Sequence, residues 1–303
     1  MPRSRNEVLR LSVLLTCVAL ATSRVGLVAH ELVGHGGTAL AVGAHITDVR
    51  LFWFAGGWIH YQLVDGSLAA LLAIAMGGIA VELVCGTAMF WLVRGDTFGR
   101  RIGRGIGAAL ILHGSWYLAT GAWSGFGDGQ LLYRVLGDAR YAVAIAAGAI
   151  TCTAAFLGAR GVFGALAGTV SQHRIVWTLV AIAVAAGIHL GLALGEIHIR
   201  RDQAYVQVMQ PERERIVARE LATWTQAQGS AADDTAVAAE RTRLEDAHRT
   251  FPFAWLLGIC AGISAILGAR RSRLGEPLVL PLGAAAGGAA IAIAGVVALS
   301  YVT

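Results

Sequence analysis

Lysine is absent from this chain: all 24 basic residues are arginine. Charge of either sign is scarce, at 14% of 303 residues against 56% hydrophobic. Soluble domains average about 25% charged residues, so the composition excludes an ordinary water-soluble fold and indicates a polytopic membrane protein. Cysteine pairs are missing too. Cys17, Cys85, Cys152 and Cys260 each lie in an apolar run and none forms a C-x-x-C motif, so they read as small hydrophobes rather than redox groups. The net charge of +5 gives no reason to infer a nucleic-acid partner. The arginines cluster in short loops between apolar spans, which is a topology signal.

What is abundant is long apolar sequence. About 20 apolar residues cross about 30 Å of hydrocarbon, and runs of that kind fall at 8–42, 66–93, 105–123, 141–159, 175–197, 252–269 and 277–301. The expected fold is therefore an all-α polytopic membrane protein with about seven transmembrane helices. Prolines number only five, and no Gly-Pro break divides the first span, so it is expected as one long helix. Its start imitates a secretory signal, with Arg3, Arg5 and Arg10 before an apolar core and Ala19-Leu20-Ala21 as a cleavage-like site. The apolar character runs well past Ala21, so the span is read as retained.

Twelve arginines (Arg3, Arg5, Arg10, Arg94, Arg100, Arg101, Arg104, Arg160, Arg174, Arg270, Arg271 and Arg273) fall on one side of a seven-span arrangement. The positive-inside rule makes that side, with the N-terminus, cytoplasmic. The expected location is a multi-pass position in a bacterial cell membrane.

Between the first two spans, Ile46 to Phe54 is rich in β-branched and aromatic residues, and Ala55-Gly56-Gly57 leads into Trp58-Ile59-His60-Tyr61. That pattern predicts a small β-hairpin. Residues 199–251 are the one long polar stretch. Helix formers from Arg213 to Gln228 and from Thr235 to Ala247, divided by Gly229-Ser230, predict a helical hairpin outside the bilayer. The chain divides into a transmembrane core (1–140), additional transmembrane helices (141–198), the extramembrane segment (199–251) and a C-terminal transmembrane pair (252–303).

Inside the first span stands His30-Glu31-Leu32-Val33-Gly34-His35. Each ionisable side chain there costs at least about 2.5–3.5 kcal/mol on insertion scales, and a bound divalent cation compensates all of them together. Metal-binding helices usually carry histidines at i and i+4, as in H-E-x-x-H. Here the spacing is i and i+5, which on an α-helix separates the side chains by about 140°. A π-bulge would bring them back to one face, and Gly34, Gly36 and Gly37 ease such a deformation. Glu31 and His35, at i and i+4, are the fallback ligand pair, with His30 behind them.

A catalytic zinc takes three protein ligands and keeps one position open. Asp128, in Gly125-Phe126-Gly127-Asp128-Gly129, is the favoured third ligand. Glu82 and His113, both inside apolar spans, compete with it. Arg24 lies seven residues before Glu31 on the same helical face, where it can stabilise an oxyanion, hold a substrate carboxylate, or snorkel to the interface.

The order of these pieces resembles the site-2 protease family of intramembrane zinc metalloproteases. The matching residues are His30-Glu31 with His35, Gly43 to Leu51, Gly56-Gly57, Ala75-Met76-Gly77-Gly78 and Asp128-Gly129. They cover roughly 20–135. The resemblance implies zinc (Zn2+) on His30, His35 and Asp128, Glu31 as general base, and a membrane-protein or peptide substrate taken from the bilayer. Two other readings remain open. One is a non-catalytic membrane scaffold. The other is a transporter with His30, Glu31, Glu82 and His113 along a proton or metal path.

Overall fold

The computed structural model describes residues 2–64, 66–201, 203, 210–228, 233–249, 251–273 and 280–302. The first span is one continuous helix, as expected: Arg5–Ala41 covers 37 residues. At 1.5 Å per residue it is about 55 Å long and overshoots the hydrocarbon core. Its winding is not uniform. Helix α1 (Pro2–Val28) passes into a π-helical stretch (Ala29–Gly36) and returns to α-helix in α2 (Gly37–Ala41).

Strands β1 (His45–Leu51) and β2 (Gly57–Gln62) follow as an antiparallel hairpin, with an irregularity between Ile46 and Asp48. Its inner face packs Val49, Leu51 and Ile59 against Leu27, Val28 and Leu32 of the first helix. The tip of the hairpin is held by two buried charges. Arg24 Nη1 donates to the carbonyls of Phe52 and Ala55, at 2.9 and 2.8 Å. Glu196 accepts the backbone N–H groups of Trp53, Phe54 and Ala55, at 2.7, 2.5 and 3.0 Å. A tight turn exposes polar groups that lipid cannot satisfy, and this pair satisfies five of them.

The remaining helices are α3 (Leu68–Leu92), α4 (Phe98–Ser124), α5 (Gln130–Val135), α6 (Ala139–Ala167), α7 (Arg174–Arg200), α8 (Glu212–Gln228), α9 (Asp234–Ala247), α10 (Phe253–Arg270) and α11 (Leu282–Val302). Among the described residues, six helices are long and apolar enough to cross a membrane: the first helix, α3, α6, α7, α10 and α11. This is a multi-pass membrane architecture. The expected seventh span, 105–123, lies within α4, which has the length but is not among the six. Its residues explain the difference. Arg100, Arg101 and Arg104 open it, and His113, Ser115, Tyr117 and Thr120 follow. Neighbouring helices take up this polarity: α4 runs antiparallel between α3 and α6, and its buried Ser115 bonds Thr151 of α6 at 2.9 Å.

The arginine-rich loops gather at one end of the bundle. There Val8, Leu11 and Leu14 of α1 pack with Leu166 of α6, Ala181 of α7, Ile102 of α4 and Leu282 of α11. The hairpin and the polar helices lie away from that end. Helices α8 and α9 form the expected extramembrane pair, sharing a small core of Val217, Leu221 and Leu244. Asp233 caps α9 by accepting from Ala236 N–H at 2.7 Å. Gly229-Ser230, expected to divide the two, lies outside the described residues.

Candidate metal centre

The π-helix coincides with the His-Glu run. A π turn closes on residue i+5 instead of i+4, and the amide of Gly37 reaches the carbonyl of Leu32 in this way. Winding of this kind returns His30 and His35 to one face. Both are buried, and so is Glu31 between them. The wider helix lies directly on α3. A Cβ on Gly34 would stand 2.5 Å from Gly78 Cα, and a Cβ on Gly78 would overlap the His30 ring. The two glycines let the backbones approach until the His30 imidazole lies flat across α3.

Asp128 arrives from the far end of α4. Gly125 ends that helix at φ 70° and Gly127 follows at φ 52°, left-handed conformations that favour glycine. The two turns carry the Asp128 carboxylate back over the histidines. Its Oδ2 lies 3.0 Å from His30 Nε2 and 3.2 Å from His35 Nε2. The two imidazole Nε2 atoms are themselves 3.2 Å apart.

The opposite ring nitrogens decide what these atoms can do. His35 Nδ1 lies 2.7 Å from the Ile74 carbonyl, which can only accept, so Nδ1 carries the proton. His30 Nδ1 faces Glu82 Oε1 at 3.2 Å, and a carboxylate at that nitrogen favours the same tautomer. In the neutral rings both Nε2 atoms then present lone pairs to each other and to a carboxylate oxygen. Three acceptors at this separation repel unless a proton or a metal cation joins them, and their spacing also suits a metal. Tetrahedral bonds of about 2.0–2.1 Å hold ligand atoms about 3.3 Å apart, close to the separations found here. His30, His35 and Asp128 can therefore hold a metal ion.

The other expected residues take different places. Glu82 stands behind His30, with its second oxygen 2.8 Å from His113 Nδ1. Both competitors for the third ligand position thus form a polar chain, Asp128–His30–Glu82–His113, in which Asp128 alone joins the histidines at the converging atoms. Arg24, expected at an oxyanion or a substrate carboxylate, has Nη1 bonded to the two hairpin carbonyls. Glu31 lies beside Gly57, where a Cβ would come 3.3 Å from Glu31 Cγ. Tyr117 escaped the reading of the sequence. Its ring meets His30 edge-on at 6.1 Å and stacks on His113 at 6.1 Å, walling the site on the α4 side.

A cavity of about 1160 Å³ opens from this centre between α1, α4, α6, α7 and α10. His30, Glu31, Glu82 and His113 line it at one end, and Leu15 and Ile102 line it towards the arginine-rich end. Most of its wall is alanine, glycine and aliphatic side chain. No family model, curated protein or solved structure matches this chain.

Proposed function

We propose that this chain is an intramembrane zinc metalloprotease of the site-2 protease type, hydrolysing peptide bonds of membrane-embedded substrates. The observation that carries the reading is the convergence of His30 Nε2, His35 Nε2 and Asp128 Oδ2 beside a buried Glu31, at the end of a large apolar cavity. Zinc suits a mixed imidazole and carboxylate set that leaves a position open. Once bound, it supplies a Lewis acid and lowers the pKa of a coordinated water towards about 7.

The chain's own residues do the rest. Glu31 accepts a proton as the water oxygen bonds to the scissile carbonyl carbon. It returns that proton to the amide nitrogen as the C–N bond breaks, leaving one carboxylate and one amine. The Ile74 carbonyl fixes the His35 ring by a hydrogen bond at Nδ1, and the Glu82 carboxylate stands at Nδ1 of His30 as its ion-pair partner. Such outer partners keep ligand rings oriented and basic. The apolar cavity receives the hydrophobic segment of the substrate and excludes water. The β-hairpin beside Glu31 offers a strand edge against which an unwound segment can be held extended.

The test is cleavage of a membrane-spanning substrate by purified protein in liposomes. Glu31→Gln is expected to retain zinc and lose cleavage, whereas His30→Ala and His35→Ala are expected to lose both. Zinc flux across the liposome without cleavage would replace the protease with the transporter, for which the Asp128–His30–Glu82–His113 chain would be the path.

A further inference from the structure

The Asp128 loop is gripped from outside the membrane. Its neighbour on that side is the first turn of α8. The amide of Glu212 donates to the carbonyl of Gly125 at 2.8 Å. The Glu212 carboxylate is buried and accepts two parallel bonds from Arg134, at 3.0 Å from Nε and 2.9 Å from Nη2. One turn further along α8, Arg215 Nη1 donates to Gln130 Oε1 at 3.0 Å. Gly125, Gln130 and Arg134 bracket Asp128 on both sides in the chain. Residue 125 must also be glycine for this contact, because a Cβ there would stand 2.6 Å from Glu212 Cβ.

On its inner side the loop packs against Gly121 and Tyr117 of α4, so α8 holds the face that α4 does not cover. Between α4 and α5 it is a single short turn whose amide of Gly129 bonds the Phe126 carbonyl at 3.1 Å. The two left-handed glycines leave it conformationally free in the unfolded chain, and the Asp128 carboxylate must stay within a few tenths of an ångström of one position to complete a metal site. A bidentate Arg–carboxylate pair is a strong directional restraint, particularly with the carboxylate buried.

We infer that Glu212, paired with Arg134, is a positioning residue that holds Asp128 at the metal, so that the extramembrane helical pair completes the centre. The inference rests on the metal reading proposed above. It gives the polar segment a task beyond covering the bundle, since the third ligand is in place when α8 is docked.

The experiment uses the full chain in detergent micelles. Zinc affinity is measured by competition with a chromophoric chelator, coordination by the cobalt(II) absorption spectrum, and loop order by hydrogen exchange at the Gly129 amide in metal-free protein. Glu212→Gln and Arg134→Glu are each expected to weaken zinc binding measurably, by less than the about 10–100-fold that follows loss of a group bonded directly to a ligand. Each should also shift the cobalt spectrum towards that of Asp128→Ala and quicken exchange at Gly129. The charge-reversed pair Glu212→Arg with Arg134→Glu should recover most of the affinity, which a general loss of folding would not allow. Unchanged zinc affinity with unchanged exchange in Glu212→Gln overturns the inference. A wild-type protein that binds no zinc, yet whose Gly129 exchange is quickened by Glu212→Gln, ends the metal reading and leaves a clamp without a ligand to position.

Discussion

The two ends of the bundle are built by different rules. At the arginine-rich end, Val8, Leu11, Leu14, Leu166 and Val170 meet as aliphatic side chains. Many combinations of similar volume would fill that space. At the other end, the first helix and α3 touch through Gly34 and Gly78, and the space they leave is filled by His30, His35 and Asp128. There the tolerance is that of single atoms. One end holds helices together and accepts exchange of hydrophobic groups. The other bends a helix out of its usual winding, and only a few side chains suit the result.

Substitutions at the two ends should separate these rules. The largest effect is expected from Glu31→Gln, where a general base contributes about 10²–10⁴-fold. Cleavage should fall by that much while zinc content, read by metal analysis, stays unchanged. Gly78→Ala comes next. The added methyl occupies the space of the His30 ring, so bound zinc should be lost, with stability lowered by the roughly 1–3 kcal/mol of an overpacked core. Glu82→Gln leaves His30 in place but weakens its partner, and chelator competition should show an affinity loss of about 10–100-fold. At the opposite end, Leu14→Met keeps the volume of a buried side chain. It should cost less than about 1.5 kcal/mol of stability and leave zinc affinity as it was. A Leu14→Met protein that bound zinc poorly would show that the two ends are not separable.

Much of this was legible in the chain. A π-bulge was the winding that would bring the i,i+5 histidines to one face, and Ala29–Gly36 adopts it. The β-branched run after the first span and the helix formers flanking 229–232 gave the hairpin and the extramembrane pair, because those signals are local. Apart from Asp128 with the two histidines, pairings across long sequence separation were not legible. Glu212 looks like any other acidic residue of a polar segment, and only the fold sets it against Arg134. Arg24 read as a group for an oxyanion or a substrate carboxylate, or as a snorkelling side chain, and Glu196 drew no reading, yet together they satisfy the turn of the β-hairpin. The expected seventh span lies in α4, which its own composition does not set among the six, and neighbouring helices meet its polar Ser115 and His113 through Thr151 and Glu82.

X-ray absorption at the zinc edge of the purified, zinc-loaded protein addresses the centre most directly. One equivalent of zinc is predicted, with a first shell of two imidazole nitrogens and carboxylate or water oxygens at about 2.0–2.2 Å, and one imidazole should vanish in His35→Ala. Protein that takes up no zinc, or holds it in a shell without histidine, would contradict the convergence of His30, His35 and Asp128 on a metal.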